Sequence, residues 1–218
     1  MASDNARPPS PGPQPYGARN TLLIGTGALS VSLLPFWLNW IRELHPETTV
    51  RTVLTRGARR FVSPEALAAL NPGGVLLDEW GGPRGESRKQ APHVAWSEWA
   101  DAVLVYPATA HFLARHALGL PETPSLLTLQ CFSGPIGLAP SLPPGSLDSP
   151  AVQEHLRALA RLRNVVLAPC ESARSATTGK VGNGAAAPLP ELMYLVEGLR
   201  NRIGLRGRHE SGEPADAA

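Results

Sequence analysis

The sequence predicts one α/β domain in three layers, with a parallel sheet between two layers of helices. Short apolar runs of the kind that form buried strands alternate with longer amphipathic stretches, and glycine-bearing turns follow several of the runs. The runs are far enough apart for the crossover helices that parallel strands require. The 218 residues, 43% of them hydrophobic, are enough for one sizeable core and too few for two full-size domains.

The first three strands are predicted from apolar runs, of which the third is the clearest because it is unbroken. A helix that runs to about Leu44 follows the first strand, the stretch Ala58–Leu70 follows the second, and a helix from about His111 to Leu118 follows the third. These strands are predicted at Thr21–Ile24, Thr49–Leu54 and Ala102–Tyr106.

The second half of the chain adds further strand candidates and one clear helix. Pro150–Arg163 carries leucines at helical spacing, which predicts an amphipathic crossover helix. The strand candidates are Leu126–Cys131, Ile136–Ala139 and Val165–Leu167.

Composition indicates where the domain begins and ends. Residues 1–20 contain five prolines and almost no large aliphatic side chains, so we expect a disordered arm there and a flexible tail at residues 204–218, with the domain at 21–203. Two polar, glycine-bearing segments inside the domain, Gly73–Pro92 and Ser172–Ala187, are not explained by core building. The second is predicted to be a surface loop.

Charge and cysteine content exclude several classes of function. Charged residues make up 17% and the net charge is +2, which argues against a nucleic-acid partner. Two cysteines are too few for a disulfide framework and none has zinc-ligand spacing, which favours a reducing, cytoplasmic location. The longest apolar run, Ala28–Trp40, is interrupted and shorter than the roughly 20 residues that span a bilayer.

The turn after the first strand is a candidate phosphate site. Gly25-Thr26-Gly27 follows a buried strand and opens a helix, where backbone N–H groups attract an anion, and the hydroxyls of Thr26 and Ser30 are further donors. The turn alone fits a phosphate site and a plain tight turn equally. Ser30 occupies the place of the third glycine of a dinucleotide fingerprint, and Thr55 stands where a ribose-binding acid would be, so a nicotinamide dehydrogenase is disfavoured.

Histidines and cysteines supply the other candidate groups. His93 lies at a predicted helix start, where an acid–base role competes with the simpler interpretation of a surface histidine. His111 is expected near anything bound at the end of the third strand, and His116 is expected to be solvated. Cys131 is expected to be a buried strand end, and Cys170 has no neighbours that would lower its pKa.

Five pieces in order resemble the homo-oligomeric flavin-containing cysteine decarboxylases, which include the lantibiotic peptidyl-cysteine decarboxylases and phosphopantothenoylcysteine decarboxylase. The resemblance extends from about Leu22 to Leu199. It implies a Rossmann-like, flavodoxin-like fold and trimers, often assembled into a dodecamer. The pieces are Gly25-Thr26-Gly27-Ala28-Leu29-Ser30, Thr55 to Phe61, His93 with Trp99-Ala100-Asp101, Pro107-Ala108-Thr109-Ala110-His111, and Gly179-Lys180-Val181-Gly182-Asn183.

The resemblance assigns roles to these residues. It implies His93 as the catalytic residue and FMN as the cofactor, with FAD an open alternative. The flavin would be held by Gly25, Thr26, Gly27, Ala28, Ser30, Thr55, Pro107, Ala108, Thr109, Ala110 and His111. The substrate would be held by Thr178, Gly179, Lys180 and Asn183.

Two positions depart from the family pattern. The family's asparagine after the third strand is His111 here. The family's Pro-x-Met-Asn-x-x-Met-Trp motif corresponds to Pro140-Ser141-Leu142-Pro143-Pro144, which has no Met, Asn or Trp.

The implied reaction is oxidative decarboxylation of the C-terminal cysteine of a ribosomally made precursor peptide to an aminoenethiol, the precursor of an aminovinyl-cysteine ring. The coenzyme A members carry a reducing cysteine shortly before their Gly-Arg pair, and Ala173–Thr178 has none. A phosphopantothenoylcysteine decarboxylase and a flavin-free regulatory relative remain as alternatives.

Overall fold

A six-stranded parallel sheet forms the centre of the protein, in the order β3-β2-β1-β4-β5-β6. The structure is a computed structural model that describes residues 15–80, 90–174 and 179–204. The predicted three-layer parallel α/β fold is confirmed. The strands are β1 (Asn20–Gly25), β2 (Thr49–Leu54), β3 (Val75–Leu77), β4 (Ala102–Thr109), β5 (Ile136–Ser141) and β6 (Val165–Leu167).

Helices cover both faces of this sheet. Because side chains alternate along a strand, Leu23 and Leu104 face the core formed with α1 and α7, whereas Leu22 and Val103 face the core formed with α3 to α6. Burial on both faces explains why the central strands are apolar without interruption. The helices are α1 (Leu34–Leu44), α2 (Pro64–Ala68), α3 (Pro92–Trp99), α4 (Ala110–Ala117), α5 (Pro124–Cys131), α6 (Pro150–Ala160) and α7 (Leu189–Arg202).

The strand order fixes where a ligand can bind. The chain moves outward in one direction from β1 to β3 and in the other direction from β4 to β6, so the loops after β1 and β4 diverge. This topological switch point opens a crevice at the carboxyl edge of the sheet, where open α/β sheets bind their ligands.

The predicted surface loop at Ser172–Ala187 is instead mostly a β-hairpin. Strands β7 (Glu171–Arg174) and β8 (Val181–Ala185) pair antiparallel, and residues 175–178 between them lie outside the described residues. The backbone N–H of Leu142, just after β5, donates to the Gly184 carbonyl at 2.7 Å. Backbone pairing and this anchor give order to a segment that has few large apolar side chains.

Two secondary-structure predictions are wrong. Leu126–Cys131 belongs to helix α5, because the Thr123 side chain caps the helix by accepting the Leu126 N–H and Pro124 occupies its first turn. A six-residue apolar run does not distinguish a strand from a buried helix. Cys131 is accordingly exposed at the helix end, not buried in a strand. The short strand β3 lies inside the polar Gly73–Pro92 segment and was not predicted.

The last residues of the predicted N-terminal arm, from residue 15 to residue 20, are packed against the domain. Ala18 is buried, the Tyr16 hydroxyl is hydrogen-bonded to Thr21 at 2.9 Å, and the Gly17 N–H donates to Glu197 of α7 at 3.0 Å. Residues 1–14 and the predicted tail from residue 205 onward lie outside the described residues. In the described part, no helix is long and apolar enough to cross a bilayer, and no cluster of three or more His, Cys, Asp or Glu has the arrangement of a metal site.

His116 was expected to be solvated, but it is buried in α4 with 5% of its surface exposed. Neither ring nitrogen has a hydrogen-bond partner among the described residues. Because burial penalises the imidazolium form, the pKa of His116 is lowered to about 4.

We expect His116 to limit stability in acid. The unfolded chain titrates this side chain near 6.5 and the folded chain near 4, so between these values the unfolded state binds more protons and the folded state loses stability as the pH falls. Urea unfolding of wild type and H116L should be measured at pH 7.5 and at pH 4. Relative to wild type, the unfolding free energy of H116L should be higher at pH 4 than at pH 7.5, by up to about 3 kcal/mol. H155Q, in α6, is the matched control. A pH-independent difference between wild type and H116L would contradict the assignment.

Candidate active site

One threonine side chain joins the loop after β1 to the end of β4, where the chain enters α4. The Thr26 hydroxyl donates to the Pro107 carbonyl at 2.6 Å and accepts the Thr109 N–H at 3.0 Å, and Thr26 is 1% exposed. The hydroxyl that the sequence suggested as a ligand donor is therefore used within the protein. Its role in the structure is to hold the β1 and β4 loops in a fixed relation.

A third loop, after β2, is joined to the first by close backbone contact. The Thr55 N–H donates to the Gly25 carbonyl at 3.1 Å, and the Thr55 hydroxyl accepts the Ala58 N–H at 3.3 Å. A Cβ added to Gly27 would lie 3.0 Å from the Gly57 Cα, so a side chain there would force the two loops apart. The loops after β1, β2 and β4 thus form one unit at the carboxyl edge.

This unit has the features of a polar ligand cradle. Ser30 Oγ is buried and has no hydrogen-bond partner among the described residues, so it is a polar group left for a ligand. Gly27 is exposed at the rim. At the β4 side, Thr109 caps α4 by accepting the Phe112 N–H at 3.4 Å, Ala108 and Pro107 are buried, and His111 is exposed in the first turn.

His93 lies on one flank of the cradle. It occupies the second position of α3, and its imidazole is in edge contact with the Trp80 ring, with 5.8 Å between centroids. Nδ1 is buried without a partner in the part of the chain that the structure describes, whereas Nε2 is not sealed off in this way. Trp80 follows β3, which is three strands from β4, or roughly 14 Å at the usual strand spacing.

The predicted substrate residues lie on the opposite flank, on the hairpin that contacts the end of β5. Lys180 and Asn183 are exposed on the β7–β8 hairpin, and Gly179 takes a positive φ of 67° at its turn. Thr178 lies outside the described residues. A single copy therefore assembles the three cradle loops at its centre and holds His93 and the hairpin on separate sides.

The Pro140–Pro144 segment, which departs from the family motif, supports the hairpin in this chain. Leu142 is buried and its N–H anchors Gly184, and a Cβ on Gly182 would lie 3.7 Å from Pro144. Cys170 is half-buried below the hairpin, with Sγ 3.9 Å from the Pro140 carbonyl oxygen. Burial raises the pKa of its thiol, which disfavours the reactive thiolate form.

Asp78 and Trp80, which follow β3, are site residues that the sequence did not predict. Asp78 is buried and accepts the Ser125 N–H at 2.8 Å, and burial raises the pKa of its carboxyl group. The Trp80 indole N–H donates to the Glu122 carbonyl at 2.7 Å. The available signal was a tryptophan and an acidic pair inside a polar segment that leads to a candidate catalytic histidine.

The chain belongs to the Flavoprotein family, whose model matches residues 10–203. It is 34% identical over 144 residues to cypemycin cysteine dehydrogenase (decarboxylating) from a Streptomyces species, a match that covers 66% of this chain and 73% of that protein. It is 26% identical to the coenzyme A biosynthesis bifunctional protein CoaBC of Bacillus subtilis strain 168 over 82% of this chain, which spans only 42% of the length of that relative.

Two solved structures share the fold along most of their length. The crystal structure of the cypemycin decarboxylase CypD matches with a TM-score of 0.71 and 26% identity, covering 87% of this chain and 97% of that chain. The FMN-dependent cysteine decarboxylase TvaF from thioviridamide biosynthesis matches with a TM-score of 0.66 and 25% identity, covering 84% and 98%. The resemblance predicted from the five sequence pieces is confirmed.

Substituting Gly27 by alanine should destabilise the protein, because the added methyl would meet the Gly57 backbone, which cannot move aside like a flexible side chain. We expect G27A to lose about 1–3 kcal/mol of unfolding free energy in urea titration. G198A is the control: it lies within helix α7, where a Cβ has only an Arg202 side-chain atom 3.7 Å away, and it should be neutral or stabilising. Equal stability of G27A and wild type would show that the two loops do not depend on this contact.

Proposed function

We propose that this protein is a flavin-dependent peptidyl-cysteine decarboxylase that oxidatively decarboxylates the C-terminal cysteine of a precursor peptide in lanthipeptide-type biosynthesis. The product is the aminoenethiol from which an aminovinyl-cysteine ring forms. The observation that carries the proposal is the three-loop cradle at the switch point, held together by Thr26, in a chain of the Flavoprotein family that is 34% identical to a decarboxylating cysteine dehydrogenase.

The cradle fits a flavin, and FMN is the form we propose. Ser30, with its unpartnered hydroxyl, and the backbone of Gly25–Ala28 suit the phosphate, with Thr55 beside them. Pro107, Ala108, Thr109, Ala110 and His111 form the adjoining wall. When bound, oxidised flavin supplies the two-electron acceptor that oxidation of the thiol-bearing carbon requires.

His93 is the proposed base. A cysteine thiol has a pKa of about 8.5, so a neighbouring imidazole assists its deprotonation at neutral pH. With Nδ1 buried, Nε2 is the nitrogen available to the substrate. Lys180 and Asn183, on the hairpin, are the proposed partners of the peptide's terminal carboxylate, together with Gly179 and Thr178.

We propose that two copies of the chain complete each active site. His93 and the hairpin lie on opposite flanks of the cradle in one copy, so a homo-oligomer, either a trimer or a dodecamer built from four trimers, would bring them to a shared flavin. Apolar side chains exposed beside the first loop suit such a contact: Leu29 is 56% exposed, Leu33 46% and Phe36 60%.

The proposed product is the oxidised enethiol. Reduction to a saturated thiol needs a reactive cysteine at the substrate, and Cys170 is half-buried beside Pro140 with a raised pKa. A phosphopantothenoylcysteine decarboxylase is therefore the second candidate, favoured only by the similarity to CoaBC.

The test uses the purified protein, a synthetic peptide that ends in cysteine, and mass spectrometry. A product lighter by carbon dioxide and two hydrogens supports the proposal, whereas phosphopantothenoylcysteine converted with loss of carbon dioxide alone would support the second candidate. H93N should keep its flavin absorbance and lose turnover by at least ~100-fold, a typical contribution of general acid–base catalysis. A protein purified without any flavin and unable to take it up would contradict both decarboxylase assignments and favour a flavin-free relative.

Flavin retention should depend on the Thr26 hydroxyl. T26V keeps the side-chain shape but leaves the Pro107 carbonyl and the Thr109 N–H without their partner, so we expect roughly tenfold weaker flavin binding. T128V is the matched control, because it removes a buried hydroxyl that donates to the Pro124 carbonyl within α5, at 2.7 Å, without touching the cradle. Fluorescence of flavin released by each variant, with chromatography to separate FMN from FAD, measures the effect. Equal loss in both variants would indicate general destabilisation.

A further inference from the structure

Hydrogen bonds fix both the indole of Trp80, which contacts His93, and the chain segment that carries it. Its Nε1–H donates to the Glu122 carbonyl, and the Glu122 carboxylate is ion-paired with Arg115 of α4 at 2.8 Å. Two residues earlier, the buried Asp78 carboxylate accepts the Ser125 N–H and fixes the same segment to the start of α5. The segment between β3 and Trp80 is thus attached to its surroundings by side-chain hydrogen bonds.

Among the described residues, the Nδ1 atom of His93 has no such attachment. Catalytic and metal-binding histidines are usually oriented by a hydrogen bond to the ring nitrogen that does not react. In the described structure, His93 Nδ1 is buried and has no hydrogen-bond partner. The ring contact that the structure shows for His93 is the edge contact with Trp80, with 5.8 Å between centroids and 72° between planes.

We propose that Trp80 is a positioning residue for His93, which packs against the imidazole and keeps Nε2 directed outward. This inference rests on the proposed function, because it takes His93 as the base. This role accounts for a large indole at a position where 49% of its surface is exposed. Its N–H is hydrogen-bonded to the main chain, and its ring packs against the histidine.

The decisive measurement is a double-mutant cycle on kcat. W80L should lower kcat by roughly 10- to 100-fold, since small misplacement of a reacting group has effects of that size, with unchanged KM for the peptide and unchanged flavin content. W80F keeps a ring but loses the bond to Glu122, so its kcat should lie between those of W80L and wild type. W80L/H93N should be no slower than H93N, because Trp80 acts through His93. W40L, in α1 on the opposite face, is the control and should retain wild-type kcat.

A readout independent of turnover separates this inference from the proposed function. Deuterium exchange at the His93 C2 carbon, followed by mass spectrometry on the flavin-loaded protein, reports how well the imidazole is held and covered. W80L should accelerate exchange at His93 and W40L should not. Unchanged exchange in W80L, unchanged kcat, or a further loss in W80L/H93N relative to H93N would overturn the role of Trp80. Normal turnover by H93N would instead overturn the assignment of His93 as base.

Discussion

The arrangement of the candidate active site depends on one buried hydroxyl. Thr26 bonds simultaneously to the carbonyl of Pro107 and the N–H of Thr109, across the point where the sheet changes direction. The hydrogen-bonded pairing of β1 with β4 ends at Ile24 and Val105, so the Thr26 bridge connects the two segments beyond the end of the ladder. Because the side chain is buried, leaving its two partners unpaired would cost more than an exposed hydrogen bond contributes. The position of the cradle is therefore set by the protein before any ligand arrives.

The Gly27–Gly57 contact extends this preorganisation to the third loop. Neither backbone can carry a side chain at the point of contact without displacing the other. A polar ligand that enters the cradle meets loops whose positions are already determined, and little conformational entropy remains to be lost on binding. His93 and the β7–β8 hairpin lie outside this unit. Their described contacts include the edge contact of His93 with Trp80 and the backbone bond from Leu142 to Gly184 of the hairpin.

An element of the fold could be predicted from the sequence where its own residues determine its structure, and could not where residues distant in the chain determine it. The strands β1, β2 and β4 were predicted to within a few residues because each carries a run of apolar side chains that the fold buries. Helix α5 was assigned as a strand because its burial on several sides removes the helical periodicity, although Thr123 and Pro124 carried a capping signal. Strand β3 is only three residues long. It forms because it pairs with β2, about 20 residues earlier in the chain, and its own residues do not predict that pairing.

The site residues show the same division. Gly25–Ser30 and Pro107–His111 could be located because each follows or ends an apolar run that predicts a buried strand, and because both resemble family motifs. The use of the Thr26 hydroxyl within the protein could not be foreseen, since its partners are about 80 positions away. Trp80 was overlooked because its importance comes from two neighbours, Glu122 and His93, that only the folded chain brings to it.

Two histidines on the same face of the sheet illustrate why burial must be considered atom by atom. In His116 both ring nitrogens are buried and have no hydrogen-bond partner among the described residues. In His93 this holds only for Nδ1. A fully sealed imidazole stays neutral and behaves as a core side chain that costs stability in acid. A half-sealed imidazole has one nitrogen that can exchange protons with a substrate and a ring whose orientation must come from packing. The tryptophan beside His93 supplies that packing, and His116, inside the α4 layer, has no route to a ligand.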